Sequence, residues 1–285
     1  MVPEEHHVVT LDSTQNRPDA GRATAMTTSR MPALFLAHGS PMNIIERNAF
    51  TEALAQMPRD LPHPEGIVVI SAHWQSRGTR VTCTEHPRTI HDFVGFPEEL
   101  YRIGYPAPGS PRLARRLQEV LGLDDDSGDR QRGLDHGAWS VLHHMYPLAF
   151  TPVIQLSLDV SLTPAQRMQM GRRLLPLRDE GILIIGSGNI VHNVGLVDFE
   201  DEGARPYAWA EAFDGWVDSC LTSDRLDDLA RYEDLAPSAE LAVPTDEHYT
   251  PLLYVAGLRQ PDEPVVTVFA GFQNASLSMR CVRVG

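Results

Sequence analysis

The chain has few cysteines. Cys83, Cys220 and Cys281 are odd in number, widely scattered and never in CxxC spacing. That argues against a disulfide framework and against a zinc knuckle, and it suits a reducing compartment. Long apolar runs are missing as well: none approaches the roughly 20 residues that a membrane helix needs. The first thirty residues are polar and contain no apolar secretory core. A cytoplasmic protein with no membrane partner is therefore expected. Positive charge is also in deficit. Lys and Arg total 24 against 38 Asp and Glu, a formal net charge of -14. Without a basic surface to neutralise phosphates, nucleic acid is not an expected partner. The sequence has no HExxH, which removes the commonest zinc-protease helix.

What is present reads as one α/β domain over residues 31–285, with a mostly parallel central sheet flanked by helices. A chain of 285 residues can bury roughly three quarters of the surface its unfolded form exposes, so it needs no staples. Near-continuous Val/Ile/Leu runs at 31–38, 66–73, 151–158 and 182–188 fit strands covered on both faces. A shorter strand is expected at 80–85, and further strands at 265–272 and 276–284. Helical patterns fall at 46–57, 110–122, 162–181, 206–221 and 246–258. Ser110-Pro111 and Thr163-Pro164 are helix-start signals, and Pro176 should kink the 162–181 helix. Residues 1–30 read as a disordered extension in which His6 and His7 are solvated; Met26 and Met31 are alternative starts.

The longest irregular stretch is 86–109. It carries Phe93, Phe96, Tyr101 and Tyr105 beside the His91 imidazole. Long loops inside compact domains are usually functional or disordered, and one this aromatic reads as a pocket wall or lid.

The apolar runs end in a distinctive way. "LFLAHGSP" stops at His38, "IVVISAHW" at His73, and "ILIIGSGNIVHN" reaches His192 past a Gly-Ser-Gly turn. In open α/β sheets, ligands bind beyond the carboxyl ends of the strands. Imidazoles emerging there can converge, and neutral imidazole is the commonest metal ligand. "TDEHYTPLLYV" adds Glu247 and His248 near the start of a helix that Thr245 or Asp246 can cap. Neighbouring helical residues point about 100° apart, so only one of the pair easily reaches a shared metal. In "LDHGAWSVLHHM", Asp135 can orient His136, while His143 and His144 read as ordinary helix residues.

Seven stretches in fixed order carry a resemblance: "MPALFLAHGSPMN", "VVISAHW", "TIHDFVGFPEELY", "YPAPGSP", "DHGAWSVL", "GSGNIVHN" and "PTDEHYTPLLYV". Together they closely resemble the LigB-type class III extradiol ring-cleavage dioxygenases, and within them the 4,5-DOPA dioxygenase extradiol branch. The resemblance spans residues 31–285. It implies a non-haem metal held by His38, His73 and His248, with Glu247 the rival third ligand and His192 close enough to be a fourth. It implies His192 as general base and His136 as general acid or oxygen-side hydrogen-bond partner, both suited by the imidazole pKa. His91, Asp92 and Phe93 are the expected substrate contacts, with Phe96 also able to pack on the ring. The implied substrates are an L-DOPA-like catechol and O2, acted on by a monomer. Fe(II) is the expected metal for activity, and an all-histidine site also accepts Zn2+. Two other readings suit the same residues: a zinc-dependent hydrolase, and a non-enzymatic binding protein of the Memo type.

Overall fold

A computed structural model of the chain describes residues 30–285. Apart from Arg30, the extension expected over residues 1–30 lies outside the described residues. In chain order the strands are β1 (Ala33–Ala37), β2 (Gly66–Ser76), β3 (Val81–Thr82), β4 (Gly128–Asp129), β5 (Val153–Asp159), β6 (Ile182–Gly188), β7 (Val265–Phe269), β8 (Phe272–Gln273), β9 (Leu277–Ser278) and β10 (Cys281–Val284). The helices are α1 (Ala49–Gln56), α2 (Pro111–Leu121), α3 (His136–Met145), α4 (Pro164–Arg173), α5 (Leu175–Asp179), α6 (Ala208–Thr222), α7 (Tyr232–Leu235), α8 (Ala239–Ala242) and α9 (Thr250–Gly257).

Eight strands make one sheet in the order β4-β3-β5-β2-β6-β1-β10-β7, and β8 and β9 pair separately. Its centre, β5-β2-β6-β1, is parallel throughout. Antiparallel strands flank it, β3 beside β5 and β10 beside β1. The central strands are buried along nearly their whole length because both faces are covered. Successive side chains alternate between two cores. Phe35, Val68, Ile70, Ile154 and Ile184 pack under α2, α4, α6 and α9. Leu34, Leu36, Ile67, Val69 and Ile185 pack under α1 and α3.

Several boundaries depart from the sequence expectation. The third strand is only Val81–Thr82. The 162–181 helix does not kink but ends at Arg173, and α5 restarts with Pro176 in its first turn. Proline has no N–H to extend the preceding helix but fits the first turn of a new one. The last helix begins at Thr250, not 246, with no side-chain cap. Asp246 contributes its backbone carbonyl to Thr250 N–H at 2.9 Å, while its carboxylate pairs with Arg167. His248 therefore sits in the turn before α9. The 276–284 run is split between β9 and β10.

Candidate metal centre and active site

Five imidazoles meet at the carboxyl end of the parallel strands. His38 follows β1 directly, and its N–H still bonds the Gly188 carbonyl at 3.2 Å. Gly39 then turns the chain away at φ +59°. A Cβ there would lie 2.8 Å from Asn43 Nδ2 and 2.9 Å from Gln273 Oε1, so the turn admits only glycine. His73 lies inside β2, not beyond its end. The β2–β5 register slips between Ile70 and Gln75, and this irregularity spans His73. Such bulges re-aim side chains beside active sites. His136 opens α3, capped by Asp135. His192 follows β6, its N–H held by the Ala242 carbonyl at 2.9 Å. His248 comes in because its carbonyl accepts from Asn189 N–H at 3.0 Å. A Cβ on Gly188 would lie 2.1 Å from that carbonyl, so glycine is what allows the approach.

The rings lie close together. Centroid separations are 4.9 Å for His38–His73, 5.1 Å for His38–His248, 5.0 Å for His73–His248 and 4.0 Å for His73–His136. His192 stacks on His248 at 3.5 Å and 9°. The ligand atoms of His38, His73 and His136 lie within 4.8 Å of one another, as do those of His192, Glu247 and His248. The two trios adjoin through His38–His248 and His73–His248.

The partners fix which nitrogen is free. Ser187 Oγ lies 2.5 Å from the Gly137 carbonyl, which can only accept, so the hydroxyl donates there and accepts from His38 Nδ1–H at 3.0 Å. His38 Nε2 is then bare. His248 Nδ1–H donates to Glu247 Oε1 at 3.0 Å, and His136 Nδ1–H to Asp92 Oδ1 at 2.9 Å. His73 Nδ1 faces the other Asp92 oxygen at 3.6 Å. The outer nitrogens of His38, His136 and His248 thus bond acceptors and that of His73 faces one, leaving Nε2 lone pairs inward. Burial, reinforced by the neighbouring imidazoles, pushes His38 and His248 well below the usual histidine range. His73 and His192 are pushed down to about 4, burial being the largest cause in both. Burial raises the Asp92 carboxyl, but hydrogen bonds from the His136 ring and backbone N–H outweigh it, with help from the nearby imidazole charges. The carboxyl is held at about 2.

This donor set fits a metal ion. His38 Nε2 and His73 Nε2 stand 3.1 Å apart. Two neutral rings with both outer nitrogens protonated would aim lone pairs at each other. Two nitrogens each about 2.1 Å from a shared ion stand about 3.0–3.4 Å apart, a range that includes this separation.

A cavity of about 900 Å³ opens over the cluster. His38, His73, Asp92, Phe93, His136 and His192 all line it. The structure brings together every metal and catalytic candidate read from the sequence. His91 is the exception among the substrate candidates: it is not among the lining residues, and its Nε2–H donates to the Ile103 carbonyl at 2.8 Å, pinning the aromatic loop to itself. Asp92 lines the cavity but also orients His136, the role expected of Asp135. Asp135 instead caps α3 through Ala138 N–H and accepts from Ser71, Arg132 and Gln155. Glu247 is engaged by His248 and by the Thr245 hydroxyl at 2.9 Å. Reading along the chain missed the Ser187 partner, although it stands in the "GSG" turn already singled out.

The chain matches the family described as catalytic LigB subunit of aromatic ring-opening dioxygenase over residues 24–277. It is 47% identical over 264 residues to the 4,5-DOPA dioxygenase extradiol of Escherichia coli K12, covering 91% of this chain and 97% of that one. It is 41% identical to the Beta vulgaris 4,5-DOPA dioxygenase extradiol, covering 78% and 85%. Its fold matches the crystal structure of an uncharacterised protein from Escherichia coli K12 with a TM-score of 0.77 and 43% identity, covering 90% of this chain and all of that one. These likenesses set aside the hydrolase and binding-protein readings. A histidine-walled, metal-competent cavity on this fold and these matches converge on one conclusion: the chain belongs to the LigB family of aromatic ring-opening dioxygenases.

Proposed function

We propose that this enzyme opens the ring of an L-DOPA-like catechol with O2, using a metal held by His38, His73 and His248. One observation carries the reading: buried imidazoles turn their Nε2 atoms to a single cavity while the outer nitrogens of His38 and His248 bond Ser187 and Glu247 and that of His73 faces Asp92 across 3.6 Å. Distance alone admits either His136 or His248 as the third ligand. The family resemblance favours His248, with Glu247 as its hydrogen-bond partner rather than a ligand. When bound, the metal supplies Lewis acidity that lowers a catechol hydroxyl pKa and, as Fe(II), a redox route to O2 that zinc lacks.

The remaining steps belong to the side chains. His192, neutral at pH 7 and stacked on His248, accepts the second catechol proton. His136 delivers a proton on the oxygen side. The ionised Asp92 carboxylate fixes its tautomer and stabilises its charged form. Phe93, itself buried and packed edge-on to His136 and Phe96, lies against the ring and excludes water.

The test is oxygen uptake by metal-free protein reloaded anaerobically with Fe(II), then given L-DOPA and a panel of catechols, beside a zinc-loaded control. Uptake with iron alone and a new yellow product is expected. No uptake with any catechol at a stoichiometrically filled iron site would overturn the proposal.

A further inference from the structure

The wall of this cavity away from the histidines carries charge of one sign. Glu46, Glu200 and Glu202 line it, and among the described lining residues there is no arginine; the chain has no lysine at all. At about 900 Å³ the space is of the size that encloses a drug-sized ligand, far more than a bare catechol ring. On the ring-opening reading, the excess must hold whatever the catechol ring carries.

Glu202 is exposed, but hydrogen bonds hold its carboxylate in place. Its Oε1 accepts from Gln273 Nε2 at 2.6 Å and from Asn48 Nδ2 at 3.3 Å. Gln273 and Asn43 exchange a pair of amide hydrogen bonds at 2.9 Å each, and Asn43 Nδ2 lies 3.5 Å from the His38 carbonyl. One layer of amides therefore fixes this carboxylate relative to the backbone of a proposed metal ligand. Glu46 lines the same wall. Burial, together with the charge of Glu202, pushes the Glu46 carboxyl upward. Two carboxylates held together repel, and either a proton or a cation relieves them.

We propose that Glu46 and Glu202 select catechols whose ring substituent carries a cationic amine, seating that amine between them, and discriminate against catechols whose substituent ends in a carboxylate. The inference rests on the ring-opening reading of the site and states which catechols it accepts. An anionic arm meets like charge and no arginine to offset it. A zwitterionic arm such as that of L-DOPA satisfies the wall with one group and opposes it with the other, so it ranks between the pure amine and the pure acid.

The test uses the iron-loaded full chain and four probes with a common ring: dopamine, L-DOPA, 4-ethylcatechol and 3-(3,4-dihydroxyphenyl)propionate. Turnover gives kcat/KM for each, and anaerobic titration calorimetry gives Kd independently of chemistry. Dopamine is expected to exceed the propionate by roughly tenfold or more on both measures, the scale of two partly solvated ion pairs. Glu46→Gln and Glu202→Gln should each compress the amine-to-acid ratio by about threefold, and the double variant should bring it close to one. Because the ratio is internal to each variant, loss of folded protein cannot mimic it. Equal Kd values for all four probes, or an unchanged ratio in the double variant, overturns the proposal. If no catechol is opened while calorimetry still ranks amine above acid, the selection by charge stands and the ring-opening reading fails. If no probe binds at all, both fail.

Discussion

The two ends of the parallel sheet treat buried nitrogen in opposite ways. At the amino end Arg178 is fully enclosed, yet every direction of its guanidinium is answered. It donates to the carbonyls of Met31, Leu258 and Val284 at 2.6, 2.8 and 3.3 Å, and to both oxygens of Glu263 at 2.8 Å. The entry to β1, helix α5, the end of α9 and the C-terminal strand are tied at one charge. At the carboxyl end His38 and His248 have their outer nitrogens bonded, while the Nε2 atoms of His38 and His73 converge to 3.1 Å. A satisfied buried polar group rigidifies a fold, whereas an unsatisfied one is costly unless something else completes it. The first end is built to hold strands; the second is built to hold a ligand.

Breaking the carboxyl end should have the largest consequences. His38→Ala, His73→Ala and His248→Ala should each abolish stoichiometric metal binding and reduce turnover to background, with circular dichroism unchanged. His136→Ala should keep its metal, and equal metal loss in that variant would move the third ligand. His192→Ala should also retain metal while kcat falls by roughly 10²–10⁴-fold, the usual contribution of a general base. Complete metal loss would make it a ligand instead.

The amino end should fail as stability rather than chemistry. Arg178→Ala leaves Glu263 and three carbonyls without their partner. Breaking a buried pair on one side costs about 3–5 kcal/mol, measurable by urea denaturation. Replacing Arg178 and Glu263 together by methionine and leucine should cost less than Arg178→Ala alone. An equal cost would mean that the carbonyl bonds, not the ion pair, dominate.

Asp92→Asn sharpens the comparison within the site. Losing a carboxylate behind a working histidine typically costs 10–100-fold, so turnover should drop by about that factor with metal retained. The smallest effect is expected from pH. Burial raises the Glu263 carboxyl, but the Arg178 fork and the Gln260 N–H lower it further, and its folded pKa ends below the ordinary 4.5. A depressed carboxyl contributes stability that is present above its unfolded pKa and is lost as pH falls below about 4.5 toward the folded value. Glu263→Gln should therefore flatten the acid limb of the stability curve below that pH. An unchanged slope would show that this pair does not couple to the fold.

Much of this was visible along the chain. The continuous apolar runs announced strands buried on both faces, and the histidines closing three of them marked the functional end. What one-dimensional reading missed were long-range partnerships. Asp92 and His136 are 44 residues apart, and along the chain the adjacent Asp135 is the nearer orienting carboxylate. His91 was read as facing the substrate, but the loop folds back on itself and consumes that ring. The 162–181 pattern predicts one helix kinked at Pro176, whereas the missing N–H ends α4 and lets α5 begin.

The sequence by itself determined the ingredients: which segments must be buried, where each turns, and which residues can ligate a metal. These follow from local chemistry, since apolar periodicity, glycine at positive φ and proline geometry act within a few residues. Only the tertiary structure decided which nitrogen of each histidine faces inward, which carboxylate serves which ring, and that Glu46 and Glu202 share a wall. Those outcomes depend on hydrogen bonds and repulsions between distant segments, and they exist only once the sheet has brought its strand ends together.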